Sequence, residues 1–481
     1  MDRSLPTLFR MSPPAQVNGT YVLFTNSMQM WVCAFITTAI NVALPTIQGQ
    51  LRLSPIALGW LPLAYILATA AFLVPFGKIA DRVGRRRIFL TGILIFAVCS
   101  LALVFSDTYI PLVIFRAGQG FGAAMIFASS TAIVTLSCPP ERRGRAMGLY
   151  VGAAYLGQTM GPSVGGVIVH NLGWHSLFLL TGALSLIVLA LDLWLLRGAE
   201  WKEKIARGFD WSGSTVYVLA LSAFVLGLSW LSESRGAILL AIGVVGLAIF
   251  IWWEGRVRNP VLDVGLFRHN RTFAFSNAAA LINYAAVWAM SFLMSLYLQY
   301  IKGLNAEKAG LVLIAGVAVQ AAFSPFTGRL SDRVQPRWVA SAGMVLCACG
   351  LFSFSFLTSA TPYWVIIAGL CVLGLGFALF SGPNQSAIMG SVERKFVGVA
   401  SASVGTMRMV GQAISIGVAT LVLALVVGSH DIAPGDYPHV LTSVKITFGV
   451  MTVFCVLGVF ASLSRGKLPS SGRHDEVLQP E

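Results

Sequence analysis

The chain has 481 residues, of which 56% are hydrophobic and only 11% are Asp, Glu, Lys or Arg, against roughly 25% charged in ordinary soluble domains. Unbroken apolar runs such as Ile238 to Trp253 exclude a soluble fold, and they lack the in-out alternation of an outer-membrane barrel. The net charge of +14 comes from short clusters between apolar segments, which is positive-inside patterning and not a basic domain for nucleic acid.

The first 20 residues are polar and lack a cleavable signal pattern, so the first apolar segment is expected to stay in place. Hydropathy, with Gly, Pro and charge as punctuation, predicts spans at 21–44, 57–77, 88–106, 110–136, 146–169 and 176–196. An extra pair follows at 213–231 and 237–254, and then 272–299, 308–328, 338–358, 363–389, 397–427 and 444–464. The fold class expected is an all-α polytopic membrane protein of fourteen transmembrane helices. Its parts are a tail (1–20), a six-span half (21–196), a linker with the extra pair (197–271), a second six-span half (272–464) and a tail (465–481).

Phased at 100° per residue, span 1 carries Asn26, Gln29, Cys33, Thr37 and Asn41 within roughly 120° of one another. The loop after span 2 reads Gly77-Lys-Ile-Ala-Asp81-Arg82-Val-Gly84-Arg85-Arg86-Arg87. Its glycines permit a tight turn, and Asp81 is an acceptor for an Arg or a helix N-terminus. Span 4 holds Arg116-Ala-Gly-Gln119-Gly120, and an intramembrane arginine either faces a cavity or partner or snorkels outward. Span 5 holds Gly157-x-x-x-Gly161-Pro162-x-x-Gly165-Gly166, a flat face for close helix contact with a kink at the proline.

Span 9 places Asn277, Tyr284, Trp288, Ser291 and Ser295 within about 60°. The stripes of spans 1 and 9 are expected either to wall one cavity from opposite sides or to bond packed helices together. Span 13 adds Arg408, Gln412 and Ser415 on one face; Arg408 either bonds backbone carbonyls or contacts a ligand.

The chain also repeats. Gly77, Asp81, Arg82 and Arg86 recur 251 positions later as Gly328, Asp332, Arg333 and Arg337, and Glu141-Arg142-Arg143 recurs at 252 as Glu393-Arg394-Lys395. Such duplication is the architecture of a secondary transporter with its site between the halves. Of 33 Lys and Arg, 26 fall in the tails and the loops after spans 2, 4, 6, 8, 10 and 12, and only Arg52, Arg235, Lys302 and Lys308 fall in the other loops. Both termini are therefore expected on the cytoplasmic side.

The loop after span 2 resembles the signature loop of the major facilitator superfamily, and the strings in spans 4 and 5 are similar to two further motifs of that family. Asn41-Val-Ala-Leu-Pro45, Phe209-Asp210-Trp211, Pro260-Val-Leu-Asp263 and Leu266-Phe267-Arg268 resemble its fourteen-helix drug:proton antiporter branch. The resemblance implies an efflux carrier of the plasma (inner) membrane for small amphipathic compounds. It implies a conformational latch at Gly77, Asp81, Arg82, Gly84, Arg85, Arg86, Gly328, Asp332 and Arg333, an antiporter-type motif in span 5, and protons as the coupling ion. The expected partners are the bilayer and a small-molecule substrate, with no cofactor, no metal and no enzymatic activity.

Two departures stand out. The position of the branch's membrane-embedded Asp is Ile36, and its Trp-Arg-Trp is Trp174-His175-Ser176. Of nineteen acidic residues only Asp192 and Glu254 fall inside predicted spans, near their ends, so no midplane carboxylate is expected to carry a proton. A facilitator or an anion-preferring carrier, with Arg116 and Arg408 in the cavity, is the alternative within transport. From another class, a ligand-sensing receptor would use the same fold.

Overall fold

The structure, a computed structural model, describes residues 18–466 apart from 140–141, 199, 202–208, 232–233, 258–259, 261, 263, 394–396 and 429; at 332–333 and 397–398 it describes the backbone alone. The tails, Glu141, Asp263, Arg394 and Lys395 thus lie wholly or mostly outside the described residues, as do the side chains of Asp332 and Arg333.

The first half consists of α1 (Gly19–Leu51), α2 (Pro55–Val83), α3 (Arg85–Leu103), α4 (Tyr109–Ser137), α5 (Arg143–Leu172) and α6 (His175–Leu195). Next come α7 (Trp211–Ser229), α8 (Ser234–Glu254) and a short α9 (Val264–His269). The second half consists of α10 (Arg271–Val287), α11 (Met290–Leu296), α12 (Ala306–Arg333), α13 (Pro336–Phe354), α14 (Tyr363–Gly390), α15 (Val397–Val427) and α16 (Tyr437–Leu463). Thirteen segments among the described residues are long and apolar enough to cross a membrane, α10 and α11 counting as one. The fourteenth, α5, has 30 residues, ample for a 30 Å core; its glycines dilute its apolarity.

Local chemistry sets the helix ends. Asn18, Ser54, Asp210, Asn270 and Asn305 each accept a first-turn amide, the N-cap role. Two predicted boundaries are corrected. Pro45 does not end α1, which runs on to Leu51; three residues before it, the Val42 carbonyl accepts from Gln299 Nε2 at 3.0 Å, so neighbouring helices satisfy the backbone where a proline disturbs it. Span 9 is not continuous. It breaks at Trp288–Ala289 and ends in a π-turn, Tyr297–Ile301, and the Ala289 amide at the break donates to Ser415 Oγ of α15 at 2.9 Å.

The repeat is visible in the packing. In the first half α1 packs on α5 and α6, α4 on α2 and α3, and α3 on α6. In the second, α10 packs on α15 and α16, α14 on α12 and α13, and α13 on α16, the same pattern helix for helix. The halves meet along α5–α12 and α2–α15, which exchange under the same correspondence. The α7–α8 hairpin stands outside this symmetry and leans on α2 and α15 through α7.

The halves are joined on the face away from the termini. There Tyr300 donates to Gln48 Oε1 and Gln48 Nε2 to the Ile432 carbonyl, both at 3.0 Å, and Asn305 lies 3.4 Å from His170. Tyr300 and Tyr437 stack at 5.3 Å. Lys302 on this face donates to the Ser359 and Thr361 carbonyls at 2.6 Å, and burial pulls its ammonium below the usual lysine range. Among the described residues, the hydrogen bonds that link the two halves, Gln299 to the Val42 carbonyl included, lie at or just inside this face, and none is found between the halves at the face that carries the termini. The cleft between the halves therefore opens toward the termini.

Candidate functional site: the cleft and its signature loop

At the α2–α3 turn, Gly84 has φ +123°, a conformation open to glycine, and the turn brings Gly77, Asp81, Arg82, Gly84, Arg85 and Arg86 to the terminal face. Asp81 Oδ1 takes Arg85, one turn on, at 2.7 Å, so the acid is engaged within its own half. Arg86 donates through Nε to Asp192 Oδ1 at 2.8 Å and to the Asp192 carbonyl at 2.9 Å, and Asp192 is 1% exposed. A partner that sequence reasoning missed is the chain just after α6. Glu200 Oε1 accepts the Arg86 amide at 3.0 Å and the Trp201 carbonyl accepts the Arg85 amide at 2.9 Å. These acceptors cap α3, whose N-cap Gly84 has no side chain. An isolated Glu-Trp beyond a predicted span offers no local signal for this role.

The glycines of α5 serve two surfaces. A methyl at Gly157 would lie 2.5 Å from the Trp31 carbonyl, one at Gly161 1.9 Å from Thr38 Oγ1 and one at Gly165 2.8 Å from Ala39 Cβ, so this face seats on α1. Gly166 instead faces α12, where a methyl would lie 2.5 Å from the Ala306 carbonyl, and the Pro162 carbonyl occupies the space beside Gly310. The doubled glycine thus serves the contact within the half and the contact between halves.

The predicted cavity residues divide. Arg116, 1% exposed, donates to the Leu61 carbonyl at 3.0 Å and to Gln119, and its guanidinium lies 4.6 Å from the Tyr65 ring centroid. Gln119 continues to Ser100 at 2.7 Å. Arg116 and Gln119 therefore bind α2, α3 and α4 together, and neither snorkelling nor an open cavity describes them. Gln29 likewise turns to Ser185 of α6 at 3.2 Å, which corrects the picture of a single cavity-facing stripe on α1. Asn26 and Asn277 each donate back one turn, to Val22 and Phe273 at 2.9 Å, and Thr37 bonds the Cys33 carbonyl at 2.6 Å. Asn26, Gln29, Asn41 and Asn277 all keep a buried amide oxygen without a partner. Ile36 is fully buried.

Arg408 lies on α15, the helix through which the second half packs on α2 of the first. It sits eleven residues into α15, about 16 Å along the helix and near mid-membrane. Tyr284 of α10 lies beside it, whereas Tyr150 of α5, in the other half, is 3% exposed and turns its hydroxyl to Met30 Sδ at 3.5 Å. The fit of α15 against α10 is close, since a methyl at Gly411 would lie 2.8 Å from Tyr284 Cβ. Tyr284 also meets the Phe377 ring edge-on at 5.4 Å. Arg408 Nε is buried without a hydrogen-bond partner, Gln412 is buried one turn beyond it, and Trp288 lies at the break in span 9.

The family model of the Major Facilitator Superfamily matches residues 27–416 and, in a second match, 276–477. Multidrug resistance protein Stp of Mycobacterium tuberculosis is 32% identical over 392 residues, covering 80% of this chain and 72% of Stp. The tetracenomycin C resistance and export protein of Streptomyces glaucescens is 27% identical over 86% of this chain and 77% of its own length. The riboflavin transporter RibZ of Clostridioides difficile is 27% identical over 77% and 80%. Among solved structures, the inward-facing, unoccupied bacterial homologue of the human lysosomal transporter Spinster aligns with a TM-score of 0.65 at 17% identity, over 94% of this chain and 97% of that one. An auto-inhibited peptide transporter of the POT family aligns at 0.68 and 14%, over 93% and 96%. Duplicated halves, a cleft open at one face, the signature loop and these likenesses converge, and the chain belongs to the major facilitator superfamily of membrane transporters.

Proposed function

We propose that the protein exports small amphipathic compounds across the plasma membrane by alternating access, with both termini in the cytoplasm. One observation carries the proposal: among the described residues the halves are hydrogen-bonded to each other at the face away from the termini and not at the terminal face, where the basic loops lie. With basic loops inside, this is the state that loads from the cytoplasm. The named multidrug-resistance and export relatives support the outward direction. In this reading the signature loop is the latch of the opposite state: Asp81, held by Arg85 in the present one, exchanges that partner for the second half when the terminal face closes. The test is substrate accumulation by inside-out vesicles containing the protein. Uptake that Asp81→Asn slows, at normal expression, supports export and the latch; accumulation only in right-side-out vesicles overturns the direction.

Coupling is proposed to run without a carboxylate in the cleft. Among the described residues, every Asp and Glu within a helix lies near that helix's end, and the branch's usual acid is replaced by the buried Ile36. Flux of a permanently charged compound in proteoliposomes should therefore depend only weakly on an imposed pH gradient. Robust proton-driven uphill flux of such a compound would restore ordinary antiport.

A further inference from the structure

The two intramembrane arginines are not alike. Arg116 is satisfied by a carbonyl, an amide and a ring, whereas Arg408 has no ion pair among the described residues and a buried Nε without a partner. An unpaired guanidinium near the middle of a bilayer costs at least about 2.5–3.5 kcal/mol, and among the described residues no carboxylate offsets that at Arg408, whose neighbour Tyr284 brings a neutral hydroxyl. What stands beside it is aromatic: Tyr284 of α10, with the Phe377 ring edge-on to it at 5.4 Å. Phenols supply hydroxyl donors and flat π faces but no negative charge at neutral pH.

We propose that Arg408 is the substrate's counter-ion, and that the cleft takes planar aromatic compounds bearing a carboxylate or similar anionic group. This rests on the export reading and names its substrate class. The free Nε and its neighbouring terminal nitrogen form the fork that receives a carboxylate in two parallel bonds. Tyr284 and Phe377 offer their faces to the aromatic body. A cationic compound of the same outline meets only Arg408 and is disfavoured.

The experiment uses the full-length protein in detergent and two xanthene dyes of similar outline, fluorescein (an aromatic carboxylate) and tetramethylrhodamine methyl ester (a cation), with binding read by fluorescence anisotropy. The wild type should bind fluorescein at least tenfold more tightly than the cation. Arg408→Gln should weaken fluorescein at least tenfold and leave the cation unchanged or tighter, and Arg408→Lys, which keeps charge but not the fork, should fall between. Wild-type affinity for fluorescein in a monodisperse Arg408→Gln protein overturns the proposal. If that variant fails to fold, the wild-type ranking decides, and preference for the cation overturns it. Dye flux in proteoliposomes separates the two readings. Arg408-dependent binding of fluorescein without flux of either dye leaves the anion site standing and sinks the export reading. Flux of the cation that is indifferent to Arg408 does the reverse.

Discussion

Ile36 and Gly161 show how tightly the first half is specified at the scale of single side chains. Ile36 is fully enclosed, so Ile36→Asp buries a carboxyl group with no arranged partner, at a cost of about 2–7 kcal/mol even in its protonated form. It should lower the thermal unfolding midpoint in detergent markedly, whereas Ile36→Val should cost about 0.5–1.5 kcal/mol and leave flux near wild type. A midpoint unchanged by Ile36→Asp would mean that this position opens to the cleft. At Gly161 an added methyl meets Thr38 Oγ1 and the Phe35 carbonyl at 2.9 Å. The hydroxyl can turn away but the backbone cannot, so Gly161→Leu should overpack the α1–α5 contact and cost about 1–3 kcal/mol or more, read as a lower unfolding midpoint and lost transport. Gly77→Ala, where the added methyl is free, should keep stability in the present state. Any loss of flux there would mark the closed terminal face.

Among elements, the span count and the repeat were legible because long apolar runs and exact 251-residue spacing are properties of composition and order alone. The break in span 9 was not. No Pro or Gly lies at Trp288–Ala289, and the acceptor of the Ala289 amide, Ser415, is 126 positions away. Ser415→Ala should therefore cost about 1–3 kcal/mol by leaving a buried amide unpaired, and Ser415→Thr, which keeps an acceptor, should cost less; unfolding midpoints of the two variants compare them. The candidate site was half legible for the same reason. Phasing proposed Arg408, Gln412 and Tyr284, which the structure places on the facing helices α15 and α10, but phasing for Gln29 and the span 4 string for Arg116 and Gln119 could not distinguish a polar face turned to a neighbour in the same half from one turned to the cleft. Serine 185, Leu61 and Ser100, which take those side chains, are fixed only by packing. The cap on α3 from Glu200 was equally hidden, because 114 residues separate donor and acceptor.

For the whole molecule, the joined face is a gate that must part once per cycle. Cysteines at Gln48 and Tyr300, whose side chains now bond at 3.0 Å, should be bridged by a short bifunctional thiol reagent in the present state. Bridged protein should lose flux and regain it when the bridge is cleaved; full flux while bridged would show that this face never opens. A cysteine placed at Asp436 should be labelled only from outside the cell, and cytoplasmic labelling would invert the orientation. One asymmetry bears on how a compound arrives. The seam along α2 and α15 is walled over much of its depth by α7, from Tyr217, which donates to the Ala70 carbonyl at 3.2 Å, to Trp230, whose ring lies 6.3 Å from that of Trp60. The α5–α12 seam has no such wall among the described residues, and Leu156, Met160, Val164 and Val167 of α5 are exposed. A solute dissolved in the bilayer therefore meets a protein with one sealed flank and one bare flank.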